Sequence, residues 1–196
     1  LNILKIITEY NSKFINKKIK IIYVSTDEVY GSLEGKGKFT EFSNLKPNNP
    51  YSASKASGQL LVRSWYKTFN IPAIITNCSN NFGKFQHKEK FIPKIIISAI
   101  NGQDIPIYGN GKNIRDWLFV EDHTDALITI LKKGKVGEVY NIGDNNELSN
   151  LEIVKKICKL LDQKINCKYP HFKLVKFVKD RPGHDFRYAI DSKKLK

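Results

Sequence analysis

Lys20-Ile21-Ile22-Tyr23-Val24-Ser25-Thr26-Asp27-Glu28-Val29-Tyr30-Gly31 is the stretch on which the reading of this chain turns. Its opening residues are apolar and rich in β-branched side chains, which predicts a short buried strand over 20–25. Thr26, Asp27 and Glu28 then stand just past the strand's carboxyl end, where open α/β sheets hold their ligands. After a loop over 31–50 comes Tyr51-Ser52-Ala53-Ser54-Lys55-Ala56. Tyr51 and Lys55 fall one helical turn apart on one face. A phenol is a poor base, with an ordinary pKa near ~10. A nearby ammonium favours its ionised form, so the pair can take a proton from a hydroxyl during hydride transfer. The adjacent carboxyls of Asp27 and Glu28 add what removal of water requires, one proton withdrawn and one delivered.

Outward from this centre, strands and helices alternate. A helix is predicted over 1–18, and another over 51–69 with Leu60, Leu61, Trp65 and Phe69 as its apolar face. Strands follow over 71–78, 105–108 and 138–142, with helices over 91–100, 120–133 and 151–161. Asp122 is the expected N-cap of the 120–133 helix. Alternation of this kind predicts a mostly parallel α/β sheet. The change of pattern near 84–115 marks a second, substrate-facing lobe. Gly31, Gly35 and Gly37 fit no phosphate-binding spacing. Gly109-Asn110-Gly111-Lys112 is followed by Asn113, where a Walker loop needs Ser or Thr.

The net charge of +14 comes from 33 basic and 19 acidic residues. Its lysines are dispersed and no arginine-rich run occurs, so a basic surface suited to an anionic small substrate is expected rather than a nucleic-acid site. No apolar run approaches the ~18–20 residues of a membrane helix. Cys78, Cys158 and Cys167 form no disulfide pattern and point to a reducing, cytoplasmic setting. His87, His123, His171 and His184 lack metal-ligand spacing, and no metal site is expected. The chain has no Met and opens inside a helical pattern, as a piece of a longer protein would.

The segment STDEVYG, followed by a Y-x-x-x-K helix, resembles the dTDP-glucose 4,6-dehydratases, members of the extended short-chain dehydrogenase/reductase family. The resemblance continues through TEFSNLKPNNPYSASKA, TNCSNNFG, KFIPKII, PIYGNGKNIRDWLFVEDH, GEVYNIG and DRPGHDFRYAID, from Lys20 to Asp191. It implies a Rossmann-type doubly wound parallel sheet plus a smaller mixed α/β lobe. The expected division is 1–83 as a partial NAD-binding and catalytic domain and 84–196 as mainly the substrate lobe, with 120–143 returning to the Rossmann core. The family's glycine-rich fingerprint is not in the sequence, nor is the acidic residue that follows it, and Lys84 and Lys88 stand where the family has prolines.

By the resemblance, Tyr51, Lys55 and Asn81 contact NAD. Tyr51, aided by Lys55 and Thr26, takes the proton of the glucose 4-hydroxyl. Glu28 removes the carbon-five proton, Asp27 protonates the departing carbon-six hydroxyl, and hydride returns to carbon six. Thr26, Asn80, Lys90, Phe91, Pro106, Ile107, Tyr108, Arg115, Asn150, Asp180, Arg181, Pro182, Gly183 and His184 hold the nucleotide-sugar. Arg115 and Arg181 suit a diphosphate, since a guanidinium can bind two oxygens at once. The family also implies a homodimer with the 51–70 helix at its interface. Two other readings stand beside this one: a sibling nucleotide-sugar 4-epimerase or decarboxylase, and an inactive nucleotide-sugar-binding fragment.

Overall fold

The 20–25 run forms the first strand, β1 (Ile21–Thr26). The computed structural model describes residues 1–166 and 169–195, so Cys167 lies outside the described residues. β1 is preceded by α1 (Asn2–Lys13) and a short 3-10 turn, Ile15–Lys17. The expected 1–18 helix therefore breaks at Phe14, whose backbone is non-helical. A second 3-10 turn, Asp27–Tyr30, follows β1 directly and ends at Gly31. Gly31 has φ +86, and a Cβ there would lie 2.4 Å from the Lys46 carbonyl oxygen, so this exit requires glycine.

The loop that follows leads into α2 (Pro50–Phe69), then β2 (Ala73–Cys78), β3 (Asn80–Phe82) and α3 (Phe91–Ile100). Next come β4 (Ile105–Tyr108), β5 (Ile114–Phe119), α4 (Val120–Lys133) and β6 (Val139–Ile142). β7 (Glu147–Ser149), α5 (Asn150–Lys164) and β8 (Val175–Val178) follow, and a 3-10 turn spans Lys193–Leu195. β1, β2 and β6 form a parallel sheet in that order. β3, β5 and β7 form a mixed sheet, and β4 pairs with β8 in parallel. This is a Rossmann-type mixed α/β fold with crossover helices between parallel strands.

Four apolar clusters hold these layers. One joins α3, β4, β5 and α5 around Ile95, Ile105, Ile107, Trp117 and Val154. Another packs Ile74, Leu118, Ile130 and Ile142 between the parallel sheet and α4. The buried face of α2 differs from the expected one. Ser52, Ala56, Gln59 and Val62 are buried, whereas Leu60 and Phe69 are more than half exposed. The reason is close approach: small and polar residues let α2 sit against the sheet, and the larger apolar residues point outward. Asp122 likewise does not cap α4. The N-cap is Phe119, without a side-chain bond, and Glu121 and Asp122 sit in the first turn, where they complement the helix dipole.

Gly58 shows how close that approach is. A Cβ there would meet Tyr23 Oη at 2.0 Å and Cζ at 2.6 Å. Gly→Ala inside a helix ordinarily stabilises by about 1 kcal/mol. Here the clash reverses the sign. Gly58→Ala is expected to destabilise by about 1–3 kcal/mol in urea denaturation. A variant more stable than the parent would contradict this packing.

Candidate active site

A cleft of about 820 Å³ opens at the carboxyl ends of β1 and β2. Thr26, Asp27 and Glu28 line it from the end of β1, and Tyr51 and Lys55 from α2. Asn80 and Asn81 contribute from β3, Lys90 from the start of α3, and Arg181, Pro182 and Gly183 from the 180–184 loop. The structure thus gathers eleven of the sequence-predicted site residues around one space.

Local chemistry explains how each is held. Thr26 is the N-cap of the Asp27–Tyr30 turn. Its Oγ1 accepts from the Glu28 amide at 3.3 Å and donates to Asp27 Oδ1 at 3.3 Å. Asp27 is 2 % exposed, and its Oδ2 has no partner among the described residues. Burial, and then the neighbouring Glu28 charge, push its carboxyl up to about 8. Asp27 is therefore a protonated acid at neutral pH, able to give a proton. α2 starts at Asn49, whose side chain accepts from the Ser52 amide in a capping box, with Pro50 at the first helical position.

Lys55 Nζ donates to the Val24 carbonyl at 2.7 Å and lies 4.9 Å over the Tyr23 ring. The Tyr51 phenol does not follow the expectation of a lowered pKa. Burial raises it first, and the nearby Glu28, Cys78 and Asp27 raise it further. Two acids and a thiol surround the phenol, while Lys55 is engaged with a carbonyl. Tyr51 is accordingly a neutral phenol in this arrangement.

The remaining predicted residues lie outside the cleft lining. Ile107 is fully buried in the α3–α5 core, and Phe91 stacks on Trp117 with centroids 6.0 Å apart. Arg115 was expected to face a diphosphate, but the residue is 5 % exposed and its guanidinium bonds to the backbone. It donates to the carbonyls of Ile114, Asp185 and Phe186 and stacks 4.3 Å over Tyr188. Pro106 pairs with Lys176 in the β4–β8 ladder. The Asn150 amide is bonded to the Asn113 carbonyl at the start of α5. Tyr108, Asp180 and His184 form a second group: His184 Nδ1 is 2.7 Å from Asp180 Oδ1, and its ring meets Tyr108 edge-on at 6.5 Å. Burial lowers the His184 pKa, so the imidazole is neutral.

The cleft also includes residues that the sequence reading did not single out: Asn49, Cys78, Gln86 and His123. Cys78 is inert as a nucleophile, because burial pushes its thiol up to about 12. Asn80 Oδ1, Asn81 Oδ1, Gln86 Oε1 and His123 Nε2 are buried with no partner among the described residues. Such groups cost stability unless something else satisfies them. A phenol, an amine and unspent amide oxygens around one cleft fit the nicotinamide-ribose end of NAD. Among the described residues, no group of three or more His, Cys, Asp or Glu is placed to hold a metal ion.

Several known proteins resemble this chain. A dTDP-glucose 4,6-dehydratase of Haemophilus influenzae is 54% identical over 178 residues, covering 88% of this chain and 53% of the relative. The crystal structure of dTDP-glucose 4,6-dehydratase from Bacillus anthracis in complex with NAD superposes with a TM-score of 0.87 at 47% identity, over 98% of this chain and 58% of that one. A UDP-glucuronic acid 4-epimerase from Bacillus cereus shares the fold at a TM-score of 0.80 but only 26% identity, over 98% of this chain and 59% of that one. The chain spans about half the length of the curated relatives it matches. The family model for GDP-mannose 4,6 dehydratase matches residues 1–196, and the chain belongs to that family.

Proposed function

We propose that this chain carries the catalytic and sugar-binding part of an NAD-dependent 4,6-dehydratase that converts dTDP-glucose to dTDP-4-dehydro-6-deoxyglucose. The observation that carries the reading is the buried Asp27 carboxyl beside Glu28, in the same cleft as Tyr51 and Lys55. A dehydrogenase or epimerase needs the last two. Only elimination of water needs an acid held ready next to a second carboxyl.

When bound, NAD supplies the hydride acceptor and later donor, together with a positive ring charge that favours the Tyr51 phenolate. Tyr51 takes the proton of the carbon-four hydroxyl, and Thr26 holds that oxygen. The keto group so formed acidifies carbon five. Glu28 withdraws the carbon-five proton, and Asp27 gives its own to the carbon-six hydroxyl, which leaves as water. Glu28 exchanges the proton it took with solvent and then protonates carbon five. The proton gained by Tyr51 balances the one Asp27 gave up. Lys90 and Arg181, both cationic and on the cleft, suit the diphosphate.

In this reading 1–83 and 120–143 form the catalytic part and the rest the sugar-binding lobe, which the pairing of β6 with β2 supports. The exposed Leu60 and Phe69 on α2, with Ile3 and Ile6 on α1, support a homodimer through these helices. The free thiols of Cys78 and Cys158 support a cytoplasmic setting. Among the described residues, no helix is long and apolar enough to cross a membrane.

The test is incubation with NAD and, separately, dTDP-glucose, UDP-glucose and GDP-mannose, followed by mass spectrometry. Loss of water from dTDP-glucose with no net NADH is expected. Inversion at carbon four, loss of carbon dioxide, or no conversion of any sugar would overturn the reading.

A further inference from the structure

We infer that Asn49 is a positioning residue that ties the helix carrying Tyr51 to the carboxylate of Glu28. Its two side-chain atoms do different work. Oδ1 accepts from the Ser52 amide at 2.9 Å as the N-cap of α2. That bond fixes the orientation of the amide group, since a flip would set an NH₂ against an N–H. Nδ2 is therefore turned the other way, and it donates to Glu28 Oε2 at 3.4 Å. The cap is locked in turn by Ser52 Oγ, which accepts from the Asn49 amide at 3.3 Å.

The neighbouring residue extends the tie to the third side of the cleft. Asn48 Nδ2 donates to Asp185 Oδ1 at 2.6 Å, next to the 180–184 loop. Gly183 of that loop packs so closely that a Cβ on it would lie 3.3 Å from the Asn48 carbonyl oxygen and 3.8 Å from Asn49 Cβ. One dipeptide thus spans α2, the carboxylate pair and the loop that closes the cleft. Any N-cap residue would start the helix. Among the common N-caps, an asparagine can also donate from the side chain while accepting the cap bond; Ser is too short to reach Glu28 and Asp has no donor.

The inference rests on the reading of Glu28 as the carbon-five base, and its test separates the two. Asn49→Ser and Asn49→Asp both keep a good N-cap, so melting temperature is expected to stay near the parent's. With NAD and dTDP-glucose, carbon-four oxidation, read as NADH formed in a single turnover, is expected to be unchanged. Exchange of the carbon-five proton with deuterated water is expected to slow about tenfold in Asn49→Ser, as loss of one charge-assisted hydrogen bond implies, and further in Asn49→Asp. Equal slowing of both steps, or of neither, would overturn the positioning role. A readout free of catalysis decides the contact itself: the Asn49 side-chain amide signal in ¹⁵N NMR is expected to move in Glu28→Ala while the Ser52 amide signal stays. An unmoved Asn49 signal would refute the contact. A signal that moves as expected in Glu28→Ala, with a parent that performs neither step, would overturn the functional reading alone.

Discussion

Asp27→Asn is expected to make the protein more stable near neutral pH while stopping its chemistry at an intermediate. The folded state holds the Asp27 carboxyl up to about 8, against an ordinary value of 3.8. Between those values the folded chain keeps a proton that the unfolded chain releases. Stability is therefore fully present at acid pH and is lost as pH rises toward 8. At neutral pH the loss is on the order of 4 kcal/mol. Asparagine never ionises and abolishes this slope. It also leaves an NH₂ where Oδ2 has no partner, at a cost of about 1–3 kcal/mol. Urea denaturation should find the variant equal to or weaker than the parent at about pH 4, and stronger by about 1–3 kcal/mol at about pH 7. In turnover, without its proton donor, elimination should slow by about 10²–10⁴-fold while carbon-four oxidation survives, so NADH accumulates. A variant with the parent's pH–stability curve would contradict the buried, protonated acid.

Tyr51→Phe is expected to fail one step earlier. Without the phenol, nothing on α2 takes the carbon-four proton, and NADH formation should fall by about 10²–10⁴-fold. Stability should hardly change, because the Tyr51 side chain is largely at the surface of the cleft and 55 % exposed. The two variants thus divide the reaction: Tyr51→Phe stops before NADH forms and Asp27→Asn after it. Rapid-scan absorbance of NADH separates them. Accumulation of NADH in Tyr51→Phe would show that Tyr51 is not the base.

The segments most legible in the sequence were those whose pattern has one cause. β1, β2, α3 and β4 are predominantly apolar runs, and buried runs of that kind have few alternatives. β5 was missed because Arg115 and Asp116 interrupt it, yet both are buried. Arg115 is satisfied by backbone carbonyls and Asp116 accepts from the amides of Asp144 and Asn146. Local pattern reads such residues as solvent-facing, whereas tertiary hydrogen bonds bury them. The face of α2 was misjudged for the converse reason: leucines normally mark the core, but close helix–sheet approach here selects Ser52, Ala56 and Gln59. β3 and β8 are short, at three and four residues, and take their identity from pairing partners distant in sequence.

The site was legible in a similar way. Thr26, Asp27, Glu28, Tyr51 and Lys55 announce themselves by residue type and spacing, and one cleft gathers them. The protonation of Asp27 was not legible, since it arises from burial against Glu28 rather than from local sequence. Nor was the second role of Asn49, which depends on a contact across 21 residues. Gln86 and His123 carry no local signal at all, and only the folded chain brings them to the cleft.

In the proposed reaction one sugar undergoes oxidation, loss of water and reduction within a single cleft. Its most direct test is turnover of dTDP-glucose deuterated at carbon four, with the product examined by NMR. Deuterium recovered at carbon six of a 4-dehydro-6-deoxy sugar is the predicted result, because the hydride taken from carbon four is the one returned. Deuterium found at carbon four of an inverted sugar would rule this reaction out.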